Sequence, residues 1–366
     1  MSTVCVPHFT RYLLHLKHGL ARLLQLLLQL LSPILLPQRL PQFSHALVLV
    51  LLCQYGYANA NSDLKSASTI ISSANASSAN SLGIAVIFPD IAEPYRTIFT
   101  RIIEGMEDKL QSRIPSIAIS KNFNINELQD NLRRQNIKVV IALGRQGLNV
   151  ARLLSKEFSV IVGGVLVSSE AEARGIAIHS LTPDPALLFV RLKNLMPSVK
   201  RVVVVYDPKQ NDWLIKHAKV AARAIGLELV AYEAQDLKAA MARYQDFLSN
   251  ADPAKEALWL PHDSTSVQES SVIPLVLRGA WNRSLVVFSS SLAHVEKGIL
   301  FSLYPDNLDM GRGLAAAARA RLNNPSANQI QPLRELMAAI NTSTASHLGI
   351  SMSNRRQNFD MIFPEQ

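Results

Sequence analysis

Short apolar runs alternate with amphipathic stretches from Gly83 onward, which is the pattern of strands separated by helices. The first series of predicted strands is GIAVIF (83–88), SIAI (116–119), KVVIALG (138–144), SVIVGGV (159–165) and GIAIH (175–179). Helices are predicted between them over YRTIFTRIIEGMEDKL, near 125–135 and near 146–155. These segments predict a first set of βαβ units.

The same rhythm begins again at residue 200. The second series of predicted strands is KRVVVVYDP (200–208), ELVAYEA (228–234), ALWLP (257–261), SLVVFSSS (284–291) and GILFSLY (298–304). Helices are predicted over NDWLIKHAKVAARAIGLEL, from about 236 to 249, near 266–279 and over the Ala-rich DNLDMGRGLAAAARARL. Strands that are almost purely apolar are typical of parallel sheets covered on both faces. The two series predict an α/β fold with two doubly wound parallel-sheet lobes.

Polar and aromatic residues follow most of the predicted strands. Ligands bind at the carboxyl ends of the strands in doubly wound sheets, so these residues are the candidates for a binding cleft. The candidate ligand-binding residues are Asp90, Glu93, Tyr95, Arg145, Gln146, Tyr206, Asp207, Trp213, His262, Asp263, Ser290 and Ser291.

Individual roles follow from side-chain chemistry. Arg145 offers a planar, charged fork for a carboxylate, and Asp263 is expected to orient a donor group of the ligand. Asp207 and Asp263 have a second interpretation, since both residues suit the N-cap of a following helix. Trp213 either stacks on the ligand or packs on the first turn of its helix.

The run His262-Asp263-Ser264 suggests a catalytic triad, but geometry argues against one. Triad side chains normally come from separate segments, and three consecutive residues at a strand end point in different directions. The sequence also lacks the phosphate-binding, dinucleotide-binding, zinc-protease and nucleophile-elbow motifs. We therefore expect no catalysis, no metal and no cofactor, with a hydrolase built on His262 and Asp263 kept as an alternative.

Composition and charge further limit which functional classes fit the chain. The chain has 366 residues, 48% of them hydrophobic, which is ample for two domains. Its net charge is +9, and four of those charges come from Arg11, Lys17, Arg22 and Arg39 in an acid-free N-terminal segment. Basic residues form no run in the remainder, so nucleic-acid binding is not expected. Both cysteines, Cys5 and Cys53, also lie in that segment, which excludes disulfides and cysteine-ligated metals from the body.

Residues 1–60 resemble an export leader. An apolar run from Ala46 to Cys53 is followed by Ala58-Asn59-Ala60, which predicts cleavage after Ala60 and release into the periplasm. A run this short does not span a bilayer, which needs about 20 residues. Residues 61–82, rich in Ser, Ala and Asn, are predicted to be a flexible linker.

Three interpretations remain open for the N-terminal segment YLLHLKHGLARLLQLLLQLLSPILL. It is a long n-region, an interfacial helix that anchors the chain, or the result of translation from an upstream start codon. A lipid-attachment site at Cys53 is disfavoured by the Leu before it.

Several local patterns are similar to those of one protein family. They are MPSVKRVVVVYDPKQNDW, LWLPHDSTSV, VVFSSSLAHVEKGILFSLYPDNLDMGRGLAAAARARL and the tail NNPSANQIQPLRELMAAINTSTASHLGISM. From about Gly83 to Leu348 the chain resembles the substrate-binding proteins of ABC transporters with a type I periplasmic fold, in a tryptophan/tyrosine-type uptake subgroup. The match is more specific in the second lobe.

The resemblance implies two lobes joined by a hinge, with 83–179 and 304–330 in the N-terminal lobe. Residues 180–303 and 331–350 would form the C-terminal lobe, and 351–366 a tail. It also implies a monomer that binds a small polar ligand and delivers it to an ABC permease in the inner membrane. Departures from the family pattern at Arg145, Ser290 and Ser291 favour an anionic or neutral ligand as much as an amino acid. A sensor or accessory protein with the same clamp is the alternative function.

Overall fold

The computed structural model describes residues 82–167, 169–173, 175–323 and 329–364. The predicted leader, the cleavage site after Ala60 and the linker up to residue 81 lie outside the described residues. Within the described part of the chain, no helix is both long enough and apolar enough to cross a membrane.

The first sheet has six strands: β1 (Ile84–Pro89), β2 (Ser116–Ile119), β3 (Val139–Leu143), β4 (Ser159–Val165), β5 (Ala177–Pro183) and β11 (Ile330–Leu333). Their order across the sheet is β11-β5-β4-β3-β1-β2, and every pairing is parallel. The helices between them are α1 (Tyr95–Leu110), α2 (Ile125–Arg134), α3 (Gly144–Leu154) and α4 (Glu170–Ala173).

The second sheet has seven strands: β6 (Arg201–Tyr206), β7 (Glu228–Glu233), β8 (Glu256–Leu260), β9 (Val286–Ser289), β10 (Phe301–Pro305), β12 (Leu336–Asn341) and β13 (Met361–Phe363). Their order is β13-β12-β10-β9-β8-β6-β7, and only the β10–β12 pairing is antiparallel. The remaining helices are α5 (Pro185–Leu195), α6 (Pro208–Ala224), α7 (Leu237–Asn250), α8 (Val272–Arg283), α9 (Leu292–Glu296), α10 (Asn307–Asn323) and α11 (Thr342–His347). The prediction of two parallel-dominated sheets in an α/β fold is confirmed.

Aromatic side chains fill the interior against the second sheet. Phe189 of α5 meets Trp259 edge-on at 5.6 Å between ring centroids, and Phe288 at 6.2 Å. Phe288 in turn stacks on Phe301 at 5.2 Å. These rings come from a helix and three neighbouring strands, so the valine-rich and aromatic runs are buried as their apolar composition predicts.

The chain passes between the two sheets three times: from β5 to α5, from β10 to α10, and from β11 to β12. The crossings lie close together. Asp184 donates its backbone N–H to the Leu333 carbonyl at 2.8 Å, and Asp306 donates to the Glu335 carbonyl at 3.0 Å. Arg334 forms an ion pair with Asp184 at 3.4 Å. The three crossings therefore form one connection held by hydrogen bonds.

After the second crossing, α10 returns to the first sheet and packs tightly on α1. Gly105 of α1 lies against the Leu308 carbonyl, and Gly311 of α10 lies against the Ile102 carbonyl. A Cβ atom at either glycine would overlap that carbonyl oxygen. Glycine at both positions is thus what permits the close approach of the two helices.

Two parts of the second half differ from the sequence prediction. The helix expected near 266–279 begins only at Val272, because residues 263–271 form turns in which Asp263 and Gln268 accept backbone N–H groups. The segment 351–366, for which the resemblance implies a tail, contains a strand that the sequence analysis did not predict. Residues 361–363 form β13, which pairs with β12, and Asp360 accepts the Ala338 N–H at 2.7 Å.

Candidate functional site

Each sheet has one position where consecutive connections leave in opposite directions. In the first sheet it lies between β1 and β3, and in the second between β6 and β8. The crevice outside the carboxyl ends of strands at such a switch point is where open α/β sheets bind ligands. The loops that follow these four strands begin at Asp90, Gly144, Asp207 and Pro261. They contain most of the candidates.

Asp263 sits in the loop after β8 with its carboxylate almost entirely occupied by the protein. Oδ2 accepts the backbone N–H of Asp207 at 2.7 Å and the Asn211 amide at 2.9 Å. Oδ1 accepts the N–H groups of Thr265 at 3.0 Å and Ser266 at 2.8 Å. The side chain is buried. Four internal donors make Asp263 a link between two loops and occupy the oxygens that would orient a ligand donor. Asp263 is not the N-cap of α8, since that helix begins at Val272 with Ser271 before it.

Asp207 is the N-cap of α6. Its Oδ1 accepts the Lys209 N–H at 3.0 Å, and its Oδ2 accepts the Thr265 hydroxyl at 3.0 Å. The Gln210 side chain bridges the same loops: its Nε2 donates to Thr265 at 2.7 Å and its Oε1 accepts from the Ser264 hydroxyl at 2.9 Å. We call the side chains of Asp207, Gln210, Asn211, Asp263 and Thr265 the loop network. It holds the β6–α6 and β8–α8 connections in one arrangement.

His262 lies at the same edge, beside the buried His294 of α9. Burial lowers the pKa of His262 to about 4, and the charge of a protonated His294 would lower it in the same direction. Burial also lowers the pKa of His294 to about 4. Both rings are therefore neutral at pH 7. Neutral imidazoles can accept and donate hydrogen bonds but offer no positive charge to an anion.

A Ser-His-Glu chain runs through this region. The Ser289 hydroxyl lies 2.7 Å from His294 Nδ1, and Glu269 Oε1 lies 3.1 Å from His294 Nε2. Ser289 Oγ also accepts the Ser291 N–H at 3.0 Å, and the residue is fully buried. A nucleophile must reach its substrate, so a serine enclosed in this way serves to hold the β9–α9 turn.

The remaining second-sheet candidates are partly engaged by the protein. Ser290 is buried, and its hydroxyl accepts the Trp259 indole N–H at 3.1 Å. The Tyr206 hydroxyl donates to Glu233 at 3.4 Å, and burial together with the Glu233 and Asp212 charges raises the pKa of Tyr206 to about 12. Tyr206 therefore stays a neutral hydrogen-bonding group.

Trp213 differs from the expectation of a cleft-lining ring. It is 3% exposed and belongs to the same buried cluster as Phe189 and Tyr206. Its ring meets His217 edge-on at 6.0 Å. On the first turns of α6 the indole points into the packing layer, so the core interpretation of Trp213 describes this structure.

In the first sheet, Arg145 and Gln146 occupy the first turn of α3. Gly144 enters this helix with φ +72°, and an added Cβ would lie 3.2 Å from the Phe99 ring, so the turn suits glycine. Arg145 donates from Nη2 to the Leu166 carbonyl at 2.6 Å and forms an ion pair with Glu172, yet its side chain is 53% exposed. Gln146 donates to the carbonyls of Ile119 at 3.1 Å and Ser120 at 2.5 Å.

The other first-sheet candidates lie between β1 and α1. Asp90 forms an exposed ion pair with Arg96 at 3.2 Å. Glu93 accepts the Thr97 hydroxyl at 2.6 Å and caps the first turn of α1. Tyr95 is 64% exposed. Tyr95 thus offers an exposed aromatic ring in the connection after β1, and such a ring is suited to contact a ligand.

The structure thus brings the candidates together as two separate groups, one at the edge of each sheet. Among the described residues, no hydrogen bond or ion pair joins a candidate of one group to a candidate of the other. One ion pair does link the elements around them: Lys216 of α6 lies 3.8 Å from Glu170 of α4. Groups of His, Cys, Asp or Glu that could hold a metal ion are absent from the described part of the chain.

Sequence reasoning missed the residues that organise the site from within. These are Gln210, Asn211, Ser266, Glu269 and His294. The only local signal was the position of Asn211 one helical turn after Asp207, which places both at the start of α6. The partners of Asn211 lie 51 and 52 positions further along the chain. Pattern reasoning within one segment does not identify such partners.

Solved structures show which fold this is. The ligand-free, open structure of CD0873, a substrate-binding protein with adhesive properties from Clostridium difficile, matches with a TM-score of 0.53 and 16% identity. The match covers 76% of this chain and 98% of that one. This likeness shows the fold, which is that of type I periplasmic binding proteins.

Two further structures match with lower TM-scores. An ABC domain in complex with L-Trp from Streptococcus pneumonia has a TM-score of 0.44 at 17% identity, and a conserved domain protein from Vibrio cholerae has 0.43 at 18%. Each match covers 76% of this chain and 98% of the other. No curated protein matches the sequence.

A family model matches residues 188–357, which contain the whole loop network, the Ser-His-Glu chain and most of the second sheet. Its description is ABC transporter substrate binding protein. The resemblance noted from the sequence motifs of this half is confirmed. Residues 188–357 are therefore similar to the ABC transporter substrate-binding protein family.

Proposed function

We propose that the protein is the solute-binding component of an ABC-type importer. It binds one small polar ligand between the carboxyl ends of the two sheets and presents it to a membrane permease. The observation that carries this proposal is that both switch points, β1/β3 and β6/β8, bear polar loops, and that the second one lies within the matched family region.

The connection between the sheets supports a clamp. Three crossings meet around Asp184, Leu333 and Glu335, while the strand-end loops are free of direct bonds between the two groups of candidates in the described residues. A compact connection with unbonded opposing edges allows the lobes to close on a ligand by rotation at the crossings. The Lys216–Glu170 ion pair then lies at the edge of the cleft. Both side chains are more than half exposed, so the pair contributes little energy by itself.

The ligand chemistry follows from which groups remain accessible. The carboxylates of Asp207 and Asp263 are occupied by the loop network, which leaves neutral hydrogen-bonding groups in the second half of the cleft. In the first half, the Arg145 side chain at the start of α3 is 53% exposed, and Tyr95 at the start of α1 is 64% exposed. We therefore propose a small polar ligand with an anionic group, in which Arg145 receives the anion.

The same proposal includes an exported, monomeric and non-enzymatic protein. Export to the periplasm is supported by the leader pattern before Ala60. The non-enzymatic role rests on the burial of Ser289 and on the full occupation of the Asp263 carboxylate.

The experiment has two stages. Mass spectrometry of small molecules released from the purified, denatured protein identifies the ligand, and titration calorimetry then measures its affinity for wild type and Arg145→Gln. We expect the affinity to fall by at least about tenfold in Arg145→Gln. Removing a charged partner costs roughly 1.4 kcal/mol or more of binding free energy, which corresponds to that factor. Arg101→Gln is the matched control, since Arg101 is 56% exposed and ion-paired to Glu104.

Three results would contradict the proposal. One is that the ligand identified by mass spectrometry binds wild type and Arg145→Gln with equal affinity. Another is turnover of ester, phosphate or peptide substrates that disappears in His262→Ala, which would favour the hydrolase. The third is a ligand-dependent interaction with a membrane sensor in the absence of any transport, which would favour the accessory-protein alternative.

A further inference from the structure

A cavity of about 490 Å³ opens at the other end of the second sheet from the candidate site. It lies where β12 ends at Asn341, opposite the start of β10, whereas the candidate residues follow the carboxyl ends of β6, β8 and β9. Its walls come from the last turn of α8, the turn after α9 and the start of α11. The volume is within the range of small-molecule sites, roughly 300–1,000 Å³.

One wall is an aromatic ring held in a fixed orientation. Trp281 is 50% exposed, and one face of its indole stacks on His347 with centroids 3.8 Å apart and planes at 9°. His347 Nε2 also lies 2.9 Å from the Trp281 carbonyl, which holds the histidine ring next to the indole. Leu277, one turn earlier on α8, lines the cavity beside the indole. A preoriented, half-exposed indole offers flat apolar area at low entropic cost.

Three polar side chains around this ring have no side-chain partner among the described residues. Arg278 is exposed, lines the cavity and makes no hydrogen bond or ion pair with any described residue. Asn282 and Ser343, which also line it, likewise have no side-chain hydrogen bond to the described part of the chain. Lys297 contributes a second cation, paired with Glu269, and Glu296 contributes one carboxylate.

We propose that this cavity is a second binding site, separate from the inter-lobe cleft, for a small planar monocarboxylate. The ring of the ligand packs against Trp281 and Leu277, and its carboxylate pairs with the Arg278 guanidinium. The fixed planar geometry of Arg278 suits a carboxylate, and its lack of an internal partner means that binding breaks no existing ion pair. Glu296 on the same wall disfavours a second negative charge on the ligand.

The test uses indole-3-carboxylate as the probe and indole-3-carboxamide, which has the same shape without the charge, as its control. The readout is the indole N–H signals in ¹H–¹⁵N NMR spectra. The chain has three tryptophans, and Trp213 and Trp259 are buried while Trp281 is half exposed. The signal that disappears in Trp281→Phe identifies Trp281. Titrations are repeated with Arg278→Gln and with Arg319→Gln, another exposed arginine that makes no hydrogen bond or ion pair with a described residue.

We expect the carboxylate to shift the Trp281 signal saturably, with a dissociation constant at least about fivefold lower than that of the carboxamide. Arg278→Gln should remove this difference, and Arg319→Gln should keep it. A Trp281 signal that does not saturate, equal affinities for acid and amide, or an unchanged difference in Arg278→Gln would each overturn the proposal. Arg278 is at the surface, so its variant keeps the fold even if Trp281→Phe does not. Failure here leaves cleft binding untouched, since that is measured through Arg145.

Discussion

The carboxylate of Asp263 accepts the backbone N–H of Asp207, 56 positions earlier in the chain, at 2.7 Å. This bond fastens the loop after β8 to the loop after β6 at the switch point of the second sheet. The two acids were equivalent in the sequence, since each follows an apolar strand. In the structure they have different roles. Asp207 is the N-cap of α6, and Asp263 accepts hydrogen bonds that fix the loop containing Asp207.

Replacing Asp263 should reduce stability strongly. Asp263→Ala removes the acceptor of four hydrogen bonds in a buried position and should lower the free energy of unfolding by roughly 3 kcal/mol. Asp263→Asn keeps the shape and part of the accepting capacity, so about half that loss is expected. Urea unfolding followed by circular dichroism measures both variants.

The control for this prediction is Asp212→Asn, in which an exposed carboxylate loses its ion pair with Lys216. Its effect should be below about 1 kcal/mol, as for other surface pairs. A wild-type unfolding midpoint in Asp263→Ala, together with loss of ligand affinity, would instead return Asp263 to the role of a direct ligand contact.

Glu172 should compete with the ligand for Arg145. The two side chains form an ion pair in this structure, so an anion that reaches Arg145 must replace or share that contact. Glu172→Gln should therefore tighten binding of an anionic ligand, by roughly three- to tenfold, while Arg145→Gln weakens it. Calorimetry on both single variants and the double variant measures the coupling. If Glu172→Gln weakens binding as much as Arg145→Gln does, the two residues support the loop and not the ligand.

Close packing of α1 on α10 should make Gly311 intolerant of even one methyl group. Gly311→Ala directs a Cβ into the Ile102 carbonyl and should cost about 1–3 kcal/mol through forced separation of the helices. Gly313→Ala, two positions along the same helix, meets the end of the Glu335 side chain, which can move. It should be neutral or stabilising because alanine favours a helix. Thermal melts of the two variants test this contrast, and equal losses would contradict it.

Acid should destabilise the protein through His262 and His294. Burial lowers the pKa of both His262 and His294 from 6.5 to about 4, so in this range the unfolded chain binds protons that the folded chain does not. Stability is then lost as pH falls from about 6.5 to 4, by up to about 3 kcal/mol for each histidine. The Glu269 carboxylate beside His294 favours the proton and opposes this effect, but burial outweighs it.

The measurement is the free energy of unfolding at pH 7.5, 6 and 5 for wild type and His294→Gln. The variant should lose less stability on acidification, because it lacks the imidazole of His294. His217→Gln, at an exposed position on α6, corrects for the general effect of removing a histidine. Parallel pH profiles for wild type and His294→Gln would show that His294 does not contribute to acid sensitivity.

Local sequence patterns were sufficient to predict most of the strands and helices. Strands β1 to β4 and β6 to β10 lie within or next to the predicted runs, because a strand covered on both faces must be apolar along its length. The helices were recognisable from the same physics, since apolar positions recurred at helical spacing. The elements that the sequence analysis did not predict were the helices α4, α5, α9 and α11 and the C-terminal strands β11 to β13.

The sequence by itself determined the fold class, the direction of the strands and therefore the edges at which ligand-facing loops lie. Tertiary structure decided what each residue at those edges does. Asp263 links two loops because β6 and β8 are neighbours in the sheet, which brings the Asp207 N–H within hydrogen-bonding distance of the Asp263 carboxylate. Trp213 turned inward because α6 packs on α5 and the sheet. Strand β13 formed because β12 offered an unpaired edge. Each of these outcomes depends on partners distant in sequence, and patterns within one segment do not contain them.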